Sequence, residues 1–378
     1  MTTRICIVQP IIPRYRVPIF ESLSEQSGLD VEIWADLSEK TGSLTGITKS
    51  SNLKLRNSPL KEYQGIVWQP AVVEAVNSDF DVVILNWNVR APFMHVALCK
   101  FQRSPIVLWG HGFGTHHAVV GDFLRMLDAR IADACLFYGP TGRNRFIEKG
   151  IAKEKLFIAP NALDQIEIQK ARNLWLSPNK REPILKKQQI VDDPIILYLS
   201  RLEPEKNPEL AIDALVMILK DIPSAKLVYI GDGSMRSELE SKVILLGISN
   251  SVRFLGAMNN ENDIAPWALA ASLLIHPGAL GLSIFHAFGY GLPVITTNRT
   301  SLQMPEFEAL HNGINGMVYK HGNIMDLAQI CKSILLDKIF KNRLSEGALK
   351  TVLEKDGRNK NAMIEGMIKA INYATKKK

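Results

Sequence analysis

The sequence predicts an α/β protein made of two doubly wound domains, each with a parallel sheet covered by helices. Three observations carry this prediction. Short apolar runs alternate with segments of helical periodicity along most of the chain. A polar, lysine-rich stretch with three prolines interrupts the alternation at residues 172–194. An uncharged stretch at 265–297 is divided by glycines and prolines into pieces of strand and helix length.

The first half of the chain shows one such alternation. Each apolar run is a few residues long, and strands of this length that alternate with helices are typical of a parallel sheet. The predicted strands are 4–9, 29–35, 82–86, 106–110, 134–138 and 156–160, and the predicted helices are 18–26, 91–101, 117–132 and 142–149. They indicate a first domain over residues 1–171, with the linker at 172–194.

The alternation restarts after the linker and predicts a second domain over residues 195–355. Its predicted strands are 195–199, 226–230, 252–255, 272–276 and 293–297, and its predicted helices are 208–219, 235–246, 282–289, 325–336 and 339–354. A last helical pattern at 361–374 lies in a C-terminal segment, 356–378. We expect this helix with its basic tail to pack back on the first domain.

The uncharged stretch at 265–297 is long enough to cross a membrane. Pro277, Gly291 and Pro293 interrupt it, however, so that no single helix can span it. We expect a strand, a glycine-rich loop at 277–281 and a short helix. Ligands of a parallel sheet bind at the carboxyl ends of its strands, and a helix start presents free N–H groups to an anion. A phosphate-bearing ligand is therefore expected at this loop.

The net charge of +7 is concentrated near the C-terminus, where residues 338–378 hold 11 Lys or Arg against 4 Asp or Glu. A smaller basic cluster lies at 172–187. No basic stripe is interleaved with aromatic residues, which argues against a nucleic-acid partner. The basic helix and tail are either a solvated surface or a docking surface for an anionic membrane.

The four cysteines show no spacing typical of a disulfide framework or a metal site; they are Cys6, Cys99, Cys135 and Cys331. The N-terminus opens directly on a strand, without the basic region and apolar core of a signal peptide. We therefore expect a cytoplasmic protein, with peripheral association at the inner face of the plasma membrane as an open alternative.

Arg201 and Lys206 follow the first strand of the second domain and stand just before a helix. Two cations at a strand end can hold one diphosphate. Taken alone, two solvated loop charges would be the simpler interpretation.

Five segments of the second half resemble, in their order and spacing, the GT-B glycosyltransferases of family 4. These are retaining enzymes that move a sugar from a nucleotide diphosphate donor. The segments are LSRLEPEKNPELAIDAL (199–215), YIGDGSMRSELE (229–240), VRFLGAM (252–258), HPGALGLSIFHAFGYGLPVITT (276–297) and MPEFEALHNGINGMVYKHGN (304–323). FYGPTGRNRFIEKGIAKEKLFIAPNALD (137–164) continues the resemblance into the first half. It implies a GT-B fold, in which two Rossmann-like domains face a central cleft.

The resemblance also implies roles for individual residues. Arg201 and Lys206 would hold the donor diphosphate as it leaves. Backbone N–H groups at the helix start would bind the same phosphates. The further donor-binding residues implied are Gly281, Leu282 and Ser283 at the helix start, Phe254 and Leu255 beside the nucleotide base, and Gly231 and Glu306.

The sequence departs from the family at two donor-site positions. The family has two glutamates eight positions apart around this loop, one contacting the transferred sugar and one the ribose. Gly278 and His286 stand at these positions here. A glycine offers only its backbone, whereas an imidazole can still hydrogen-bond a ribose hydroxyl. Either the sugar is held differently in a divergent subgroup, or activity is lost.

In the first domain, His111 lies in a glycine-rich loop at a strand end, where the family has a functional histidine. We expect it to hydrogen-bond the sugar or relay a proton, with a structural loop histidine as the alternative. His116 and His117 are weaker candidates. Arg14 and Arg16 follow the first strand and are either acceptor-binding cations or surface arginines.

The resemblance implies transfer of a hexosyl or related sugar to a glycan or lipid-linked acceptor in surface polysaccharide or lipopolysaccharide biosynthesis, with retention. No convincing Asp-x-Asp motif or His/Asp cluster is present, so we expect no cofactor and no metal. A GT-B nucleotide-sugar epimerase and a non-catalytic nucleotide- or sugar-binding protein remain alternatives. The sequence gives no signal for an oligomeric state.

Overall fold

The computed structural model of the protein describes residues 2–38, 40–41, 44–99, 104–112, 119–190, 192–354 and 357–376. The chain divides into two compact units. The first consists of Met1–Asn161 and Lys360–Lys378, and the second of Ala162–Asn359. Two candidates of the sequence analysis, His116 and His117, lie outside the described residues.

The first unit is built on a parallel sheet of seven strands in the order β11-β10-β9-β8-β1-β2-β5. Its strands are β1 Thr3–Val8, β2 Leu29–Ala35, β3 Lys40–Thr41, β4 Leu44–Thr45, β5 Lys54–Asn57, β6 Lys61–Tyr63, β7 Ile66–Trp68, β8 Val82–Asn86, β9 Ile106–Gly110, β10 Ala134–Phe137 and β11 Leu156–Ile158. Its first helices are α1 Val17–Ser24, α2 Ala71–Asn77, α3 Pro92–Cys99, α4 Val119–Ile131 and α5 Pro140–Glu148. The small strands β3 and β4, and β6 and β7, form two antiparallel hairpins.

The second unit contains a parallel sheet of six strands in the order β14-β13-β12-β15-β16-β17. Its strands are β12 Ile195–Leu199, β13 Lys226–Ile230, β14 Val252–Phe254, β15 Ala271–His276, β16 Val294–Thr297 and β17 Gly316–Tyr319. Its helices are α6 Ile166–Trp175, α7 Pro178–Lys187, α8 Glu209–Ile218, α9 Arg236–Leu245, α10 Glu261–Ala270, α11 Ser283–Gly289, α12 Ile324–Leu336 and α13 Lys338–Leu353. Two buried apolar clusters form its core, and the strands of the sheet contribute side chains to both clusters.

The last helix, α14 Lys360–Thr375, packs on β8 to β11 and on α1 of the first unit. Gly366 allows this close packing, because a Cβ there would lie 2.0 Å from the carbonyl oxygen of Ile158. The ring of Tyr373 adds a contact with Phe157, at 5.3 Å between centroids. The C-terminal helix thus completes the unit that the N-terminus begins.

All strands predicted from apolar runs are present, with ends shifted by a few residues at most. The structure adds strands and helices that carry no clear apolar pattern. β5 is a polar edge strand, β17 begins with a glycine, and α7 and α10 contain Pro183 and Pro266. The uncharged stretch therefore starts inside α10.

The division between the units differs from the predicted one. The sequence places a linker at 172–194, but α6 and α7 occupy most of it and pack against α10 of the second unit. The units divide after Asn161 instead. Polar composition concealed these helices, because each buries only a narrow face or none. Within the described ranges, no helix has the length and apolar character that a membrane crossing requires.

A buried ion pair stands in the core of the first unit. Asp128 of α4 is buried, lies 2.9 Å from Nδ1 of His95 and accepts a hydrogen bond from the indole of Trp87. Nε2 of His95 lies 3.1 Å from the carbonyl oxygen of Val89. Both partners of the imidazole are acceptors, so a doubly protonated ring satisfies them. The hydrogen bond to Asp128 accordingly raises the pKa of His95, against the effect of burial.

We expect His95→Gln to destabilise the protein more at pH 6 than at pH 9. A histidine whose pKa is raised by folding stabilises fully below its unfolded pKa, and this contribution is lost as the pH rises through the folded pKa. Urea unfolding at both pH values should give a loss of roughly 1–3 kcal/mol at pH 6 and less at pH 9.

His321→Asn serves as the control, because that exposed ring contacts Thr297 and Arg299 and no carboxylate among the described residues. A loss for His95→Gln that grows with pH would show that His95 is neutral in the folded protein.

Candidate active site

The second sheet has its topological switch point between β12 and β15. From β12 the chain moves outward to β13 and β14, and then returns to the other side of β12 through β15. Ligands of such sheets bind in the crevice outside the carboxyl ends of these two strands. The loops that follow β12 and β15 carry the cations and glycines of the predicted donor site.

The loop after β12 holds Arg201 and Lys206 in different environments. Arg201 is exposed, and among the described residues its guanidinium pairs with Glu205 alone, also exposed, at 3.1 Å. Lys206 is half-buried and donates from Nζ to the carbonyl oxygen of Ala279, at 2.6 Å. Burial, and then the charge of Arg201, lower the pKa of Lys206. The site thus combines one fixed cation with one that is free to reorient.

The loop after β15 packs directly on the loop after β12. A Cβ at Gly278 would lie 2.6 Å from the backbone of Glu205 and of Lys206. No side chain fits there without moving one of the loops. The structure therefore gives a steric reason for a glycine at the position where the resembling family has a glutamate.

The start of α11 presents unused backbone donors. The N–H groups of Gly281, Leu282 and Ser283 donate to no group in the described part of the chain. A Cβ at Gly281 would meet no atom within 4 Å, so space adjoins this backbone. Gln303 fixes the loop from behind, since its Oε1 accepts from the N–H of Leu280 at 2.8 Å. These donors can bind an anion in the space beside Gly281.

Two buried side chains influence the charge of Lys206. Glu306, after β16, is buried, and its carboxylate raises the pKa of Lys206. His276, at the end of β15, is buried and stacks on Tyr198 at 6.2 Å between ring centroids. Burial, and then the charge of Lys206, lower the pKa of His276 to about 3. His276 is therefore neutral at physiological pH, and the charges that act on Lys206 are those of Arg201, Glu205 and Glu306.

His286 does not stand alone on α11. Its Nε2 lies 2.8 Å from Oε2 of Glu261, and the Tyr290 hydroxyl donates to the same oxygen at 2.7 Å. Burial by itself raises the pKa of Glu261, but the His286 hydrogen bond and charge and the Tyr290 hydrogen bond lower it overall. An ionised carboxylate only accepts hydrogen bonds, so the proton is on Nε2 of His286. The imidazole keeps Nδ1 for another partner.

The other residues predicted for the donor site have different surroundings in the structure. Gly231 has φ +149, and a Cβ there would lie 1.9 Å from the carbonyl oxygen of Ser200, so it is a packing glycine. Phe254 stacks on Tyr229 at 4.9 Å between centroids in one core cluster, whereas Leu255 packs against the other cluster. The two residues thus lie on opposite faces of the sheet and do not form one surface.

In the first unit, His111 follows β9 and lies 4.8 Å from the ring of Tyr138. His111 is exposed by its fractional surface area, yet many protein atoms surround the imidazole. The resulting desolvation, and then the charges of Arg16 and Arg125, lower the pKa of His111 to about 4. A neutral imidazole at physiological pH can accept or donate a proton.

Arg14 and Arg16 have different surroundings. Arg14 is exposed, whereas Arg16 is buried against the ring of Trp109, at 4.4 Å. The guanidinium of Arg16 donates to Gln9 and to the Tyr138 hydroxyl. The structure therefore does not bring the two predicted acceptor-binding arginines together.

Comparison with known proteins places this site in a family. The model of the family Glycosyl transferases group 1 matches residues 180–351, which hold the loops just described. The second unit contains a glycosyl transferases group 1 domain. Its matched residues include every donor-site candidate of the sequence analysis.

Curated relatives match the same part of the chain. An uncharacterized glycosyltransferase of Methanocaldococcus jannaschii is 29% identical over 167 residues, which are 43% of this chain and 41% of the relative. The lipopolysaccharide core biosynthesis glycosyltransferase LpsE of Rhizobium meliloti is 26% identical over 165 residues, 43% of this chain and 45% of the relative. The similarity thus spans less than half the length of either relative.

A solved structure matches the whole chain. The crystal structure of Anabaena HepE in complex with UDP covers 98% of this chain and 100% of its own, with a TM-score of 0.72 at 18% identity. The predicted fold, two Rossmann-like α/β domains of the GT-B type, is confirmed by this likeness. At this identity the likeness shows the fold alone.

Two side chains of the group 1 domain escaped the sequence analysis. Glu261 belongs to a polar run at the start of α10, and nothing in the sequence connects it with His286, 25 positions away. Gln303 stands among loop residues without a motif. The sequence offered one signal for Glu261. It directly follows Asn260, a residue type that often caps a helix, and Asn260 does cap α10.

We expect Gly278→Ala to destabilise the group 1 domain and Gly281→Ala to leave it unchanged. The first substitution forces a Cβ against the Lys206 backbone, whereas the second meets open space. Overpacking of this kind costs about 1–3 kcal/mol, a fall of roughly 3–10 °C in the melting temperature. Differential scanning calorimetry of both variants checks this, and equal melting temperatures would contradict the close approach of the two loops.

Proposed function

We propose that the protein is a glycosyltransferase that moves a sugar from a nucleotide diphosphate donor to a glycan or lipid-linked acceptor. The observation that carries the proposal is the packing of two loops at the switch point of the group 1 domain. It directs Lys206, Arg201 and the free N–H groups of α11 to one edge of the sheet. This is the set of groups that a departing diphosphate requires.

The donor diphosphate is held by complementary charges. Lys206 binds one phosphate from a fixed position, and exposed Arg201 exchanges Glu205 for a phosphate at little cost, because an exposed ion pair is weak. The N–H groups of 281–283 bind the same anion. Charge on the diphosphate increases as the bond to the sugar breaks, so these contacts strengthen in the transition state.

The ribose of the donor meets Glu261 and His286. The Glu261 carboxylate has lone pairs beyond those used by His286 and Tyr290, and Nδ1 of His286 can hydrogen-bond a hydroxyl. A vicinal diol offers two hydroxyls to such a pair. Since His286 is three residues into α11 after Ser283, the pair lies about 4.5 Å along the helix from the phosphate-binding start.

The resemblance and the relatives support a proposal for the acceptor, and the resemblance supports one for the stereochemistry. LpsE is a lipopolysaccharide core biosynthesis enzyme, and HepE was crystallised with UDP. We propose a role in surface polysaccharide or lipopolysaccharide biosynthesis, a uridine nucleotide as the first donor to test, and retention of the anomeric configuration. Residues 338–378, with 11 Lys or Arg, support docking of a cytoplasmic protein to the inner face of an anionic membrane.

We expect one series among UDP-, GDP-, ADP-, dTDP- and CMP-linked sugars to raise the melting temperature of the protein. A ligand at about 100 times its dissociation constant stabilises by roughly 2.7 kcal/mol, a shift of several degrees. Arg201→Ala should reduce the shift, because it removes one phosphate contact. Arg343→Ala, an exposed arginine of α13, is the matched control.

Product analysis with the nucleotide that binds separates the alternatives. Release of free nucleotide only with an acceptor supports transfer, whereas conversion of the donor sugar without an acceptor supports an epimerase. Binding with neither reaction supports a binding protein. If no nucleotide shifts the wild type, the donor site does not exist and the proposal fails.

We expect transfer to continue at an unchanged rate in 5 mM EDTA, a concentration of roughly the usual order for chelation of divalent ions. Lys206, Arg201 and the α11 N–H groups supply the positive potential that a metal would otherwise supply. Turnover measured with and without EDTA, and after addition of Mg²⁺ or Mn²⁺, checks this. A rate abolished by EDTA and restored by metal would contradict metal independence.

A further inference from the structure

The sheet of the first unit has its own switch point, between β1 and β8. From β1 the chain moves to β2 on one side, and it later returns to β8 on the other side. A cavity of about 380 Å³ lies where these two strands end. Its lining residues are Pro10 after β1, Asn88, Val89 and Arg90 after β8, Leu60, Glu62, Gly65 and Val67 around the β6–β7 hairpin, and Arg125 of α4.

The walls of this cavity are held by backbone contacts. The N–H of Val67 donates to the carbonyl oxygen of Arg90 at 2.8 Å, which ties the hairpin to the loop after β8. The Asn88 side chain accepts from the N–H of Arg90 at 3.0 Å. A Cβ on Gly65 would lie 3.7 Å from Nη1 of Arg90, so the guanidinium lies against the hairpin turn. The cavity is therefore preformed.

The cavity is cationic. The Arg90 side chain is exposed and forms no ion pair with any residue that the structure describes. Arg125 is mostly buried and is paired with Asp122 of the same helix at a long 3.4 Å. Glu62 is the one acidic residue of the lining. Two planar guanidinium groups at one cavity favour a phosphate or a carboxylate, which each binds through parallel N–H donors.

The other lining groups suit a sugar. The Glu62 carboxylate can accept hydrogen bonds from hydroxyls, and the Asn88 amide can donate to them from Nδ2. Pro10, Leu60 and Val67 offer an apolar wall to the C–H face of a ring. The volume is within the range of small-molecule sites, at its lower end.

We propose that this cavity binds an anionic saccharide, a sugar unit that carries a phosphate or a carboxylate, through Arg90 and Arg125. The inference rests on the proposed glycosyltransferase function, in which this sugar belongs to the acceptor. It replaces the sequence-based choice of Arg14 and Arg16: Arg16 is engaged with Gln9 and Tyr138, and neither arginine lines the cavity.

Binding to the full chain should be measured by isothermal titration with four probes: glucose, glucose 6-phosphate, glucuronic acid and inorganic phosphate. We expect at least one of the two anionic sugars to bind more tightly than glucose and than inorganic phosphate, and the tighter one identifies the anionic group. Arg90→Gln should weaken that sugar roughly 10- to 100-fold, the cost of a lost charged hydrogen bond. Arg125→Gln should weaken it similarly and leave the weak binding of glucose unchanged.

Arg130→Gln, an exposed arginine on the same helix as Arg125, is the matched control and should not change the affinity. Equal affinities for inorganic phosphate and the sugars would overturn the proposal of a saccharide ligand, since the site would then bind a simple ion. A loss with Arg14→Gln instead of Arg90→Gln would also overturn the proposal, as would no binding of either anionic sugar.

The nucleotide-induced melting shift should be recorded for the same variants. Arg90→Gln should keep the full shift, because Arg90 belongs to the first unit and the donor loops to the second. Loss of anionic-sugar binding with an intact nucleotide shift supports the cavity as a separate site. A wild type that shows no nucleotide shift but binds the anionic sugar through Arg90 would refute the donor site and the acceptor role of the sugar, and would leave the anionic-saccharide site itself standing.

Discussion

The contact between the loops after β12 and β15 is the constraint on which the candidate site depends. Gly278 lies against the backbone of Lys206, and Nζ of Lys206 reaches across to the carbonyl of Ala279. Because the two loops leave adjacent strands at the switch point, this contact fixes the cation and the start of α11 together. A change in either loop would therefore move both the charged and the backbone donors.

The same packing excludes an acidic side chain from position 278. A side chain there would collide with the Lys206 backbone, so the loop after β15 cannot carry an acid at that point. The Glu261 carboxylate of α10, which we propose to contact the ribose, is held by His286 and Tyr290 through two hydrogen bonds. These bonds keep its pKa low despite burial, so the carboxylate remains an acceptor at physiological pH.

The fold was largely predictable from the sequence, and the site only in part. Apolar runs located every strand that is buried on both faces, because burial itself imposes their composition. β5, α7 and α10 were missed, since a polar edge strand and proline-containing helices lack that signature. Motifs located Arg201 and Lys206, but pairings across long separations, such as Glu261 with His286, depend on tertiary packing that one sequence does not encode locally.

The two cations of the donor loop differ in a way that suits leaving-group chemistry. Lys206 is held by Ala279 and by the charge of Glu306, so its position is set before a ligand arrives. Arg201 pairs, within the described ranges, with exposed Glu205 alone, and in the proposed reaction it can follow a phosphate that moves as its bond to the sugar lengthens. A preorganised charge costs no reorganisation at the moment of reaction, whereas a mobile one extends stabilisation along the path of the departing group. One fixed and one mobile cation at a single switch point therefore serve both requirements.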